Sequence, residues 1–263
     1  MSKRLLTLPG VNWALRQLSS FVDLQWAIMV RQLAEVAPRA RGRLLDVGCG
    51  QKPYQKIFSP FVNEYIGLEH EATFAETSSA SHESRPDVYY DGVTIPFDDA
   101  SFDTLLNIQV LEHTPKPQAL VHEMARVLRP DGILIVSAPF SFRLHEEPHD
   151  YFRFTPHGLR DMLDQAGLEI SEITAQGSLW SVLGHKLNSF LAFRVARLQG
   201  VGQALGKLGH ERQTTDSMRF WAVPWVVPAM ALVSGSSRAL DYVLPDESEA
   251  LSFLVIARHK KNR

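Results

Sequence analysis

The segment Asp46-Val47-Gly48-Cys49-Gly50 sets two glycines directly after a short apolar run. Glycines there let the backbone turn sharply and let a ligand approach it closely. Glu69 ends the next apolar run, "EYIGLE". A carboxylate in that place can accept hydrogen bonds from both hydroxyls of a ribose. Asp91 and Gly92 end a third run, where a carboxylate can accept from an adenine amine. A fourth group, "NIQVLEHTPKP" at 107–117, follows a fourth run. Each has a plainer reading alone: a tight strand–helix turn, a solvated strand-end acid, a loop acid.

A second concentration of reactive side chains is "FSFRLHEEPHDYFRF", 140–154. His145, His149 and Tyr151 are its candidates for substrate contact or general-base work. The structural alternative is a local Asp150–Arg153 ion pair, with Tyr151 and Phe154 docking the next helix. Cys49 reads as a small apolar residue under the glycine turn. Lys52 stands where a third glycine would complete a dinucleotide fingerprint, and Pro53 suits an early helical position. A pyrophosphate must sit tightly on the helix N-terminus, so Lys52 weakens an NAD reading. None of the tyrosines has a lysine four residues later, which weakens a short-chain dehydrogenase further. Lys52 is expected either to pair with a ligand carboxylate or to be solvated. No metal-ligand set is assigned.

Apolar runs at 43–48, 64–69, 87–92, 102–109, 133–139, 168–176 and 250–258 read as strands. Helical periodicity covers 11–37 and a stretch around Leu120, Val121, Met124, Val127 and Leu128. Residues 129–132, Arg-Pro-Asp-Gly, read as the turn out of that stretch. Residues 155–167 read as a helix with Thr155 as N-cap, Pro156 at the first position and Gly167 as the stop. Strands alternating with helices argue for an α/β fold, a doubly wound parallel sheet covered on both faces. All four loop groups then fall at the carboxyl ends of strands, the crevice where open α/β sheets bind ligands.

The 263 residues are 45% apolar and 21% charged, with net charge −2, an ordered globular composition without the basic balance of a nucleic-acid binder. One cysteine permits no intramolecular disulfide, and a reducing, cytoplasmic location is expected. The first twenty residues make a poor signal peptide. The most apolar stretch, 220–233, is short for a span and holds Pro224 and Pro228. Residues 178–247 are helical in character, with Trp180, Leu183, Leu187, Phe190, Leu191 and Val195 along one face and Trp221 and Trp225 further on. Three roles compete for them: a cap on the substrate pocket, a membrane-interface element at the inner face of a membrane, or a core or dimer contact.

Taken in order, "LLDVGCG", "YIGLE", "DG…IPFDDASFDTLLNIQVLEHTP" and "EMARVLRPDGILIVSAP" resemble the successive motifs of class I S-adenosylmethionine-dependent methyltransferases. The branch they are most similar to is the small-molecule one typified by ubiquinone-biosynthesis enzymes. The resemblance implies a Rossmann-like sheet of seven strands, mostly parallel, with the last strand antiparallel between strands five and six. It implies S-adenosyl-L-methionine as cofactor, with Asp46, Gly48 and Gly50 at its methionine moiety, Glu69 at the ribose, Asp91 and Gly92 at the adenine, and Asn107 and Gln109 under the methionine end. His113 matches the His of the family's "LEH" motif, and "PHDYFRFT" resembles a segment of this branch. The implied domains are an N-terminal helical extension, 1–40, a methyltransferase core, 41–177 plus 248–263, and a helical insertion, 178–247. The expected activity is methyl transfer to a small-molecule or lipid- or glycan-linked acceptor. The alternatives are a non-catalytic methyltransferase-like scaffold held at a membrane or partner, and, weakly, an NAD-dependent oxidoreductase.

Overall fold

The structure, a computed structural model, describes residues 21–71, 85–196, 222–246 and 248–261. The chain divides into two compact units. The sheet unit is Val30–Phe142, Pro148–Ala175 and Ser252–Arg263; the helical unit is Met1–Met29, Arg143–Glu147 and Gln176–Leu251.

Seven strands form the sheet: β1 (Arg43–Val47), β2 (Glu64–His70), β3 (Val88–Tyr90), β4 (Phe102–Ile108), β5 (Leu128–Pro139), β6 (Leu168–Gln176) and β7 (Ser252–His259). Their order is β3-β2-β1-β4-β5-β7-β6. β1 pairs in parallel with β2 and β4, β2 with β3, and β4 with β5. β7 runs antiparallel to β5, with Val136 opposite Val255, and lies between β5 and β6 as expected. The strand order reverses between β1 and β4, which opens a crevice at their carboxyl ends.

The central strands read as unbroken apolar runs because both faces are covered. Leu44, Leu45, Leu105, Leu106, Leu134, Ile135, Val136 and Val255 have no exposed surface. The strands alternate with helices α1 (Leu24–Val36), α2 (Gln55–Phe58), α3 (Pro117–Val127) and α4 (Pro156–Gln165); α2 begins at Gln55 behind Tyr54, so Pro53 lies in the turn before it and not at an early helical position. The expected helix over 11–37 has its first ten residues outside the described set. Of the described part, 21–22 and 24–36 are helical, interrupted at Asp23, which accepts from the Trp26 amide at 3.1 Å. α3 buries Leu120, Val121, Met124 and Val127, the stripe its period predicts.

β5 is longer than expected. It starts at Leu128, and between the Phe102–Leu128 and Thr104–Ile133 pairs it advances five residues while β4 advances two. Residues 129–132 have no partner on β4 and fold back, since a Cβ at Gly132 would lie 3.0 Å from the Arg129 carbonyl; the expected turn is present, but as a bulge within the strand. At α4, Thr155 accepts from the Gly158 amide at 3.0 Å, Pro156 holds the first position, and Gly167 takes a φ of 78° beyond the end.

In the helical unit, α5 (Leu179–Phe190) continues into a π-helical turn (Leu191–Val195) and packs against α6 (Val223–Val243). Trp221 lies outside the described residues. The hydroxyls of Ser178 and Ser181 bond Asp241, and Asn188 donates to Ser234 at 2.8 Å. The pairing descends along α6 as it ascends α5, so the two run antiparallel. Gly184 is needed between them, because a Cβ there would lie 2.1 Å from the Ser237 hydroxyl. Ala192, Ala222, Val226 and Met230 form the apolar end of this contact.

The α4 cap supplies a direct test. Thr155→Ala removes the acceptor for the Gly158 amide and is expected to lower stability by about 1 kcal/mol, with no change in fold, read from urea unfolding.

Candidate active site

The loop after β1 is pinned to the end of β2. The amides of Gly48 and Cys49 both donate to the Leu68 carbonyl, at 2.8 and 3.1 Å. The Gly50 amide donates to Glu69 Oε2 at 2.6 Å, and the His70 amide to Glu69 Oε1 at 2.9 Å. Glu69 is therefore buried with its carboxylate turned into the glycine loop. Gly48, at φ 77°, has no room for a side chain: a Cβ would lie 2.4 Å from Val110 Cγ2 in the loop after β4. Gly50 differs, because a Cβ there meets nothing within 4 Å. The loop is tight at its first glycine and fronts open space at its second.

Asp46 lies beneath this loop, 1% exposed, and accepts from the Tyr65 hydroxyl on β2. Burial pushes its carboxyl up to about 7; the Tyr65 bond and Lys52 work downward, while Glu69 adds to the rise. Burial, with Asp46 beside it, likewise raises the Tyr65 hydroxyl, so the proton stays on the phenol. Cys49 is buried and its thiol is pushed up by burial, which fits a packed apolar residue and not a nucleophile.

Lys52 is neither solvated nor aimed at a ligand. Its side chain is 6% exposed, and its ammonium sits 2.6 Å from Asp87 Oδ2. The same oxygen accepts from the Gly67 amide at 2.7 Å, so the lysine braces the start of β3 against β2. Lys52 does keep one property of the glycine it replaces, a φ of 54°.

Asp91 is exposed, and its Oδ1 accepts from the amides of Val93 and Thr94 at 2.8 and 2.6 Å. Those backbone bonds hold its carboxyl below the usual range. Gly92, φ 87°, lies where a Cβ would come 3.0 Å from the His70 ring. Asn107 is fully buried on β4 and donates to the Val47 carbonyl at 3.2 Å. It props the β1 loop from below, and its Oδ1 has no hydrogen-bond partner among the described residues. Gln109, at φ 57°, reaches Ser137 Oγ at 2.9 Å and Ser252 Oγ at 3.4 Å, tying the exit of β4 to β5 and β7.

The segment after β5 is strapped over the same edge. The Tyr151 amide donates to the Glu112 carbonyl at 2.8 Å, and Phe154 to the Pro139 carbonyl at 2.8 Å. His113 Nδ1 lies 2.7 Å from the His149 carbonyl, a contact that ties the loop after β4 to the strap. Arg153 makes a two-pronged pair with Asp150 at 2.6 and 2.8 Å. Phe154 is buried, but Tyr151 is 43% exposed and its hydroxyl lies 3.1 Å from His149 Nδ1. His145 belongs to the helical unit, where its Nδ1 faces the Arg143 carbonyl at 3.3 Å. Sequence reasoning missed Tyr65 and Asp87, whose partners lie on neighbouring strands and leave no local signal.

Residues 45–136 match the family model described as "Methyltransferase domain". That match runs from β1 into β5, the half of the sheet that carries the glycine loop and the strand-end acids. An uncharacterized methyltransferase of Mycobacterium sp. (strain JLS) is 35% identical over 114 residues, 42% of this chain and 45% of its own length. A Mycolicibacterium smegmatis protein named as an S-adenosylmethionine-dependent methyltransferase is 31% identical over 146 residues, 52% of this chain and 56% of its own. The chain thus spans about half the length of these relatives. Among solved structures, a chain of the complex between the Haloferax volcanii Trm112 methyltransferase activator and a methyltransferase aligns over 96% of both chains, at 14% identity and TM-score 0.53. The [4+2]-cyclase SpnF aligns over 89% of this chain and 80% of its own, at 20% identity and TM-score 0.53. These two show the fold alone.

Two outcomes test the site's electrostatics. Asp46 has its carboxyl raised in the folded state, so its contribution to stability is complete below pH about 4 and is lost as pH rises toward about 7. Asp46→Asn keeps an acceptor for Tyr65 and removes the titration. The stability difference between the two proteins should therefore shift in the variant's favour across that window, read by urea unfolding at a series of pH values. Lys52→Met should cost about 1–3 kcal/mol, and Asp87→Asn should add little in that background, because the pair is already broken.

Proposed function

We propose that the chain transfers a methyl group from S-adenosyl-L-methionine to a small-molecule or lipid- or glycan-linked acceptor. The observation that carries this reading is the 2.6 Å bond from the Gly50 amide to Glu69, which brings the glycine loop and the strand-end acid to one place. Open space in front of Gly50 supports the fit of an adenosyl ligand. The match of 45–136 to the methyltransferase-domain model and the name of the M. smegmatis relative point to the same cofactor.

In this reading the Gly48–Gly50 backbone receives the methionine end, Glu69 the ribose hydroxyls, and Asp91 with Gly92 the adenine side. When bound, the cofactor supplies a methyl carbon already activated by a cationic sulfur. The chain's own task is to hold the acceptor atom in line and exclude water, which can lower a barrier by roughly 7–11 kcal/mol. An anionic acceptor needs no base. For a neutral hydroxyl or amine, our candidate proton acceptor is the His149–Tyr151 pair on the strap, a choice supported by the 3.1 Å approach of imidazole and phenol.

Isothermal titration of the full chain with S-adenosylhomocysteine, S-adenosylmethionine and NADH tests the reading. The first two should bind and the third should not. Glu69→Gln should weaken them about 10- to 100-fold, the loss of charge-assisted hydrogen bonds to two hydroxyls. Undetectable binding of both adenosyl ligands to a folded chain would favour the non-catalytic scaffold.

A further inference from the structure

The glycine loop covers a buried group of charges that are unevenly balanced. Asp46, Glu69 and Lys52 are all buried there. The Lys52 ammonium is committed to Asp87 Oδ2 at 2.6 Å. That leaves Asp46 and Glu69, and Glu69 is close enough to push the Asp46 carboxyl up. The two acids differ in their donors. Glu69 accepts from two backbone amides, Gly50 and His70, at 2.6 and 2.9 Å. Such bonds keep a carboxylate charged. Asp46 accepts from a phenol, Tyr65. Where two carboxyls share one space, the one with the weaker donors keeps the proton longer.

Tyr65 reaches this place from β2. It is paired in register with Leu44, and its hydroxyl extends past that pair to Asp46 Oδ2. Cys49 and Tyr54, from the loop and the turn after it, also face the pair. β4 brings the apolar Leu106 alongside Asp46.

We propose that Tyr65 is a positioning residue for the cofactor: it holds Asp46 under the glycine loop, where that carboxyl makes the loop favour the cationic sulfonium of S-adenosylmethionine over the neutral thioether of S-adenosylhomocysteine. The proposal rests on the methyltransferase reading and adds to it a residue that discriminates fresh cofactor from spent. A buried carboxylate attracts a cation strongly, and a thioether carries no charge to attract. The preference exists only while Asp46 is ionised. Burial holds its carboxyl up at about 7, and the Tyr65 bond pulls it down. Below that pH the carboxyl is protonated and the loop treats the two ligands alike. Above it the carboxylate is present and the sulfonium gains. By linkage, binding of the cationic ligand releases the proton from Asp46. Loss of the methyl group removes the charge that the loop prefers, so the same carboxylate favours departure of the spent ligand.

Isothermal titration of the full chain with each ligand across pH about 6 to about 8 tests it. The ratio of the two dissociation constants cancels the ammonium that both ligands carry. That ratio should move toward S-adenosylmethionine about 10-fold as pH rises through the range. Near the middle of the range, titrations in phosphate and in Tris should show more protons released by S-adenosylmethionine than by S-adenosylhomocysteine. Tyr65→Phe loses the bond that pulls the Asp46 carboxyl down, so the midpoint of the ratio should move to higher pH. A Tyr65 that merely supports the fold would weaken both ligands equally and leave the midpoint in place, which overturns the proposal. Asp46→Asn should give a ratio that no longer changes with pH; a folded variant that follows the parent's profile also overturns it. Both ligands binding the parent with a ratio flat in pH and equal proton release overturns it while leaving the cofactor reading intact. Neither ligand binding the folded parent overturns the cofactor reading, and the proposal falls with it. The parent series and Asp46→Asn carry the test even where Tyr65→Phe fails to fold.

Discussion

The site depends on one constraint: the loop leaving β1 must close onto the end of β2 and beside the loop leaving β4. Two amides converge on the Leu68 carbonyl, and a third ends on Glu69. The gap to Val110 is so narrow that position 48 must lack a side chain. These contacts fix Glu69 by the same bonds that fix the loop. A carboxylate offers about four lone-pair sites, so accepting two amides leaves it chemistry to offer a ligand. The acid is thus held in place before any ligand arrives, and the ordering cost of binding falls accordingly.

Lys52 shows how a departure from a motif can be absorbed. A third glycine would open the loop to a pyrophosphate. The lysine instead fills the space under the loop and spends its charge on Asp87, which also holds the Gly67 amide. Gly67 has to be a glycine for this to work, because a Cβ there would lie 2.7 Å from both Cys49 Sγ and Lys52 Cε. The substitution therefore closes off one ligand chemistry and stiffens the junction of β1, β2 and β3. It leaves the open side of Gly50 unaffected.

Much of this was legible in the chain itself. Strands buried on both faces appear as apolar runs, and six of the seven fall within a residue or two of where those runs lie. Thr155-Pro156 and Gly167 mark both ends of α4 because capping is local chemistry. The start of β5 was not legible, because Leu128 pairs with Phe102 ahead of the turn at Arg129-Pro130-Asp131-Gly132, and that turn reads as the gap between two elements. Nor could sequence show that Lys52 and Gln109 would adopt positive φ, or that Tyr65 would meet Asp46. Those features depend on strands brought together from different parts of the chain, and propensity carries no record of them. The polar cluster at 140–154 was legible as a cluster but not as a division of labour. Arg153 and Asp150 build the strap, while His149 and Tyr151 remain on its exposed side.

A cyclase shares this fold, so the sheet and its crevice cannot by themselves decide which reaction occurs. What separates chemistries on such a scaffold is the set of groups that meets the acceptor. Here the common sheet contributes backbone amides, one well-placed carboxylate and a buried, partly neutral Asp46, none of which selects an acceptor. The part of the sheet unit that differs most from plain sheet and helix is the strap after β5. On the strap, the exposed His149 and Tyr151 are groups that move protons and stack.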